Sequence, residues 1–301
     1  MKVYNQQVEL SILKEKGVAL YIKREDLIHP FISGNKFRKL TYNLKEARYS
    51  GFDTILTFGG AFSNHIAATA YAGKEHGFKT IGIIRGEELH DRWQENPTLL
   101  WAKKQGMEFK FITRQAYRHK ESPEFLGQLK EEFGLFYALP EGGANALAVK
   151  GCEEILTAQD AIFDVICACV GTGGTIAGLI NAAEAHQKLI GFPALKGDFL
   201  KKDICKFAPR GNWELNTSYH FGGYGKVTLE LIEFMNAFKL ETSIPLDPVY
   251  TGKMLYGIID LVRKDHFKPN TNILAIHTGG LQGIAGMNLV LEKKNLPLIE
   301  L

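Results

Sequence analysis

Lys36 stands in the stretch "ISGNKFRKL", directly behind Ser33, Gly34 and Asn35. Glycine and asparagine tolerate a tight or left-handed backbone and open helices well. Phe37, Leu40, Tyr42 and Leu44 follow, a spacing that suits an amphipathic helix. A lysine at or near the first helical position lies at the positive end of the helix dipole, and burial there strips its proton readily. The unprotonated amine is a nucleophile. A second stretch, "VGTGGTIAGL", sets Gly171, Thr172, Gly173, Gly174 and Thr175 between an apolar run and a helical one. Glycines let backbone N–H groups converge on an anion, threonine hydroxyls add donors, and the helix start adds positive potential. A dinucleotide loop would need glycine where Ile176 stands, and a phosphate loop of the Gly-Lys-Ser/Thr type is absent. What remains is a cup for one phosphate group, or else a tight packing turn.

Three further positions accompany these. In "GGAFSNHIAATA", Ser63, Asn64 and His65 open a helix behind two glycines. Capping alone accounts for the serine and asparagine, and the same hydroxyl, amide and imidazole would receive a carboxylate. Tyr224 in "HFGGYGKV" and Tyr250 in "DPVYTGKM" each sit in a glycine-containing loop. Loop tyrosines are commonly amphipathic surface residues, but beside a phosphate cup they become proton donors or acceptors. An amine at a helix start, a carboxylate receptor, a single-phosphate cup and two tyrosines are the parts of a pyridoxal phosphate site.

The elements that must position these residues are short apolar runs alternating with helical stretches. Strands are expected at 18–24, 54–59, 80–86, 108–113, 135–142, 163–171, 188–195 and 272–280, and helices at 64–77, 145–159, 174–187 and 252–265. Nearly continuous apolar strands in such alternation imply an α/β fold with layers around parallel sheets. Several strands run into glycine turns and then helices, the place where ligands bind in open α/β sheets. The block 46–145 carries four of the strands and reads as one compact unit. The 301 residues, 45% hydrophobic and 23% charged, describe an ordinary globular chain of about two domains. A net charge of +3 without a basic arm argues against nucleic acid as a partner, and no apolar run reaches membrane-spanning length. The expected compartment is the cytoplasm. Cys152, Cys167, Cys169 and Cys205 form no C-x-x-C pair and read as small core residues, so no metal site is expected.

Taken in order, "KREDLIHPFISGNKFRKL", "FSNHIAATA", "VGTGGTIAGL", "DPVYTGKM" and "HTGG" resemble the family of 1-aminocyclopropane-1-carboxylate (ACC) deaminase and D-cysteine desulfhydrase, from about residue 18 to about residue 285. That resemblance implies a pyridoxal phosphate enzyme of tryptophan-synthase β-like fold (fold type II). It implies two α/β domains with parallel-rich sheets, the cofactor in the cleft between them, and a homodimer. A large domain of 1–45 and 146–301 would carry a small inserted domain, 46–145. By the same resemblance Lys36 is the Schiff-base lysine. Ser63, Asn64 and His65 meet the substrate carboxylate and approach the ring oxygen. Gly171, Thr172, Gly173, Gly174 and Thr175 hold the phosphate, and Tyr224 and Tyr250 are the active-site tyrosines.

Three positions separate the branches. Thr251 stands where ACC deaminases typically place a glutamate at the pyridine nitrogen, Thr278 where they carry leucine, and His65 where they carry glutamine. A hydroxyl beside the ring nitrogen leaves a weaker electron sink, which suffices when the leaving group is a thiolate. All three choices resemble the D-cysteine desulfhydrase branch. Phe62 and Ala67 depart from it, standing where glutamine and arginine are common. The expected reaction is β-elimination from a small D-amino acid, D-cysteine to pyruvate, sulfide and ammonia. ACC deaminase, a D-serine-type dehydratase and a non-catalytic cofactor-binding protein are the alternatives.

Overall fold

The computed structural model describes residues 3–197, 199–209 and 211–301. The described residues form ten strands: β1 Asn5–Val8, β2 Ala19–Lys23, β3 Thr54–Gly59, β4 Lys79–Arg85, β5 Glu108–Ile112, β6 Tyr137–Leu139, β7 Val165–Val170, β8 Lys188–Pro193, β9 Trp213–Leu215 and β10 Asn272–Ile276. They form two sheets. One has the order β1-β2-β10-β7-β8-β9 and is parallel except for β1, which runs against β2. The other has the order β5-β4-β3-β6 and is wholly parallel. The eight expected strands are all there, several shorter than their apolar runs, and β1 and β9 are additions. Both lie at the edges of the larger sheet, where three or four residues with a partly exposed face carry no run long enough to read.

The central strands are mostly apolar because both of their faces are covered, and β7 is apolar throughout. All six residues of β7 are buried; Val165, Cys167 and Cys169 join one core, and Ile166, Ala168 and Val170 the other. The first core is closed by the helices Leu229–Thr242 and Thr251–Arg263, through residues such as Ile232, Leu255 and Ile259. The second is closed by Ala146–Glu153 and Gly174–Ala182, through Val149, Ile176 and Ile180. Each such aliphatic side chain contributes roughly 1.5–3 kcal/mol through burial. The smaller sheet repeats the plan, with Ile55 on one side of β3 and Leu56 and Phe58 on the other.

The four strands between 46 and 145 thus make a sheet of their own. We place the lobe boundaries at 45/46 and 145/146, with the helix Asn35–Tyr49 packed on both lobes. Its Leu40, Leu44 and Ala47 enter the smaller lobe's core, while Tyr42 bonds Glu154 in the larger one. β2, β10 and β7 are adjacent and parallel, so their carboxyl ends point the same way. Beyond those ends lie the helix start that carries Lys36 and the loops that carry Thr278 and Gly171.

Candidate active site

Lys36 is placed by its neighbours rather than by its own contacts. It is the second residue of the helix Asn35–Tyr49, which follows Gly34. Gly34 has φ +62°, and a Cβ there would lie 2.0 Å from the Thr278 carbonyl oxygen, so only glycine passes this point. The Gly34 amide donates to the Glu25 carbonyl at 3.1 Å and the Asn35 amide to the Thr278 carbonyl at 3.3 Å. Arg38 holds the buried Glu25 carboxylate through two bonds of 2.9 and 3.0 Å, fixing the helix to the exit of β2. Asn35 does not cap the helix; its amide donates to Thr175 Oγ1 at 2.8 Å, linking the lysine loop to the glycine turn. Burial, and then the charge of Lys39, lowers the Lys36 amine to about 7. What exposure Lys36 keeps opens into the cleft described next.

An enclosed pocket of about 50 Å³ is lined by Lys36, Lys39, Asn64, Gly171, Thr172, Gly173, Thr175, Tyr250 and Thr278, among others. It shares Lys36, Asn64, Gly171, Thr172 and Tyr250 with an adjoining cleft of about 570 Å³, whose walls add Ser63, His65, Arg85 and Tyr224. The glycine turn is shaped for close approach. A Cβ on Gly171 would sit 3.0 Å from Tyr250 Oη, and one on Gly174 would sit 3.4 Å from Lys39 Nζ. Gly173, at φ +83°, opens the helix Gly174–Ala182, and no side chain caps its first N–H groups. Those donors, two threonines and a buried lysine suit one phosphate group. The Lys36 amine beside them, lowered to about 7, suits an aldehyde.

The expected residues therefore come together, with two exceptions. Gly174 does not line either cavity, and neither does Thr251. Thr251 is fully buried and turned to Asp247: its amide and hydroxyl donate to Asp247 Oδ1 at 2.7 and 3.1 Å. Asp247 also accepts from the Val249 and Tyr250 amides, so its carboxylate closes the start of the helix Thr251–Arg263. Thr278 does reach the inner pocket, where its Oγ1 lies 3.0 Å from Cys169 Sγ. Cys169 is thus a wall residue as well as a core one, and Cys205 is exposed rather than buried, unlike the expectation for all four cysteines. All four are free, and no metal-holding group of histidines, cysteines or carboxylates occurs among the described residues.

Ser63 caps the helix Asn64–His76: its Oγ accepts from the Ile66 amide at 3.3 Å, leaving the hydroxyl hydrogen for the cleft. Ser63→Ala should lower stability by about 1 kcal/mol and Ser63→Gly by a few tenths, measured by denaturant unfolding. Asn64 is not part of the cap; it accepts from Gln282 Nε2 at 2.6 Å, bridging to the turn after β10. His65 is buried and its state is fixed by Thr57. The Thr57 hydroxyl donates to the Leu139 carbonyl at 3.1 Å, so its 2.8 Å contact with His65 Nε2 is donated by the ring. Nδ1 is then a bare acceptor, and it has no partner among the described residues. Burial, then Lys36 and Lys39, keep the ring uncharged.

Tyr224 and Tyr250 face each other edge to face, centroids 6.1 Å apart. Burial pushes Tyr250 well above its usual value and raises Tyr224 too, so both are protonated donors at neutral pH. Tyr224 lines the cleft and remains exposed to solvent. Lys39 escaped notice in the sequence, yet it is buried, lines the pocket and donates to the Gly142 carbonyl at 3.0 Å. Its signal was the spacing: three residues beyond Lys36 is the same helix face.

Residues 5–279 match the family described as "Pyridoxal-phosphate dependent enzyme". A protein of Pyrococcus horikoshii provisionally named 1-aminocyclopropane-1-carboxylate deaminase is 33% identical over 296 residues, covering 91% of this chain and 88% of its own. The Arabidopsis thaliana protein named "Bifunctional D-cysteine desulfhydrase/1-aminocyclopropane-1-carboxylate deaminase, mitochondrial" is 33% identical over 297 residues, covering 89% of this chain and 74% of its own. The crystal structure of an ACC deaminase homologue superimposes with a TM-score of 0.80 at 31% identity, over 94% of this chain and 90% of the other. With the cup and its amine in place, the chain belongs to the pyridoxal-phosphate-dependent enzymes of fold type II, within the ACC deaminase-like family.

Proposed function

We propose that the enzyme carries out β-elimination on a small D-amino acid, with D-cysteine giving pyruvate, sulfide and ammonia. The observation that carries this reading is the polarity of the inner pocket. Among the described residues lining it there is no aspartate or glutamate, and Thr278 with Cys169 supplies a neutral hydroxyl and thiol instead. Asp247, a buried carboxylate whose charge acts on Lys36 and Cys169, is committed to the backbone of 249–251 and to the Thr251 hydroxyl. Bound in this site, pyridoxal phosphate would supply an electron-accepting ring through which an amino acid loses its Cα proton and then its β substituent. With no carboxylate among the described residues of the inner pocket that sink would be weak, and a sulfur leaving group needs no more.

The chain's own groups take definite parts. Lys36, its amine lowered to about 7 by burial, is the residue that would hold the cofactor through its aldehyde group. Lys39 and the Gly171–Thr175 turn would hold the phosphate, a lysine and the uncapped N–H groups of a helix start being gathered around one pocket. Ser63, Asn64 and His65, at a helix start, orient the substrate carboxylate; the free hydroxyl hydrogen of Ser63 is the donor best placed for it. Tyr250 and Tyr224 keep their protons at neutral pH and donate to the departing group. Thr251 acts through Asp247, setting the start of the helix that carries Tyr250.

The name of the Arabidopsis relative carries both activities, so ACC opening is the second reading. Keto-acid release from D-cysteine, L-cysteine, D-serine, β-chloro-D-alanine and ACC separates them. D-cysteine should exceed ACC in kcat/KM by about tenfold or more, the discrimination a single pocket contact can supply. Release of 2-oxobutanoate from ACC at an equal rate would overturn the assignment, and no keto acid from any substrate would leave a cofactor-binding protein. The same reading includes a homodimer in the cytoplasm, which sedimentation and cell fractionation check.

A further inference from the structure

We infer that Lys253 is a positioning residue: its ammonium clamps the glycine loop that carries Tyr224 to the helix that follows Tyr250. Lys253 lies in the first turn of the helix Thr251–Arg263 and is fully buried. Its Nζ donates to the His220 carbonyl at 3.0 Å and to the Gly223 carbonyl at 2.8 Å. Those carbonyls bracket the loop. Each also accepts a turn bond, from the Gly223 amide at 3.0 Å and from the Lys226 amide at 3.2 Å. A carbonyl has two lone pairs, so the lysine completes both acceptors rather than competing for them.

The loop needs such a tie. Phe221, Gly222, Gly223 and Gly225 all have positive φ, from 51° to 114°. Glycines at such positions leave the unbound loop many other conformations, each with Tyr224 elsewhere. Burying an amine is also a poor way to gain stability alone, since a methionine of similar volume would fill the site without desolvating a charge. Burial indeed lowers the Lys253 amine to about 8. What the amine adds is geometry. It joins residue 223, next to Tyr224, to a helix whose N-cap is Tyr250, and the two rings meet across the cleft.

The inference rests on the proposed use of Tyr224 in the cleft, and two measurements keep them apart. Amide hydrogen exchange in Lys253→Met holoenzyme should quicken by about tenfold or more over residues 221–225, with the helix 251–263 little changed. Unchanged exchange there sinks the clamp. The second measurement is a double-mutant cycle in kcat with Tyr224→Phe. Lys253→Met alone should lower kcat about as far as Tyr224→Phe alone, with the visible absorption of the bound cofactor retained. The double variant should then lose no more than the larger single loss. Multiplying losses would mark Lys253 as merely structural, and native kcat in Tyr224→Phe would remove the reading of Tyr224 itself.

Discussion

Lys36→Ala removes the covalent attachment of the cofactor and lowers turnover by roughly 10³-fold or more, as expected when a group that makes a bond in the reaction is lost. Borohydride should fix the cofactor to position 36 in the native chain and leave it dialysable in the variant. The native protein, stripped of cofactor, should recover its visible absorption faster as pH rises through about 7, because only the unprotonated Lys36 amine attacks an aldehyde. The sign follows from a lowered lysine value: more of the amine is neutral above it than below. A variant that kept both the visible band and the turnover would end the assignment of Lys36. A flat pH dependence of uptake would instead say that another step limits attachment and that burial does not set the amine's reactivity.

Lys39→Met acts on a different quantity. Its amine is buried against the glycine turn and lowered by desolvation, so the protein without cofactor carries an uncomfortable charge there. With the phosphate present, the same charge gains a partner. Losing a charge-assisted bond of about 1.5–3 kcal/mol weakens cofactor binding by roughly 10- to 100-fold. Stability of the cofactor-free protein should change by no more than about 1 kcal/mol, since the lost bond to the Gly142 carbonyl is offset by relief of the buried charge. Fluorescence titration with pyridoxal phosphate and unfolding of the stripped protein measure the two effects separately. Unchanged affinity would show that the anion does not sit against Lys39. Equal losses in affinity and stability would show a lysine that serves packing alone.

The sequence by itself determined the chemistry's parts and the class of fold. β7 reads as a strand because every residue is apolar, and every one is apolar because helices cover both faces; β10 reads the same way after Asn272. Lys36, Ser63, Gly171 and Tyr250 were legible because each stands where a strand or loop gives way to a helix, a local feature written in neighbouring residues. The tertiary structure alone decided which groups share a wall. Thr251 follows Tyr250 in the chain, yet its hydroxyl turns to Asp247, while Thr278 from a distant loop reaches the pocket beside Cys169. The bare Nδ1 of His65 depends on Thr57 and Leu139, from two strands of the smaller sheet. Helix starts and glycine turns are encoded over a few residues, whereas the partner of a buried polar group can lie 109 positions away, as in the Cys169–Thr278 contact. Such a partner becomes readable only once the chain has folded.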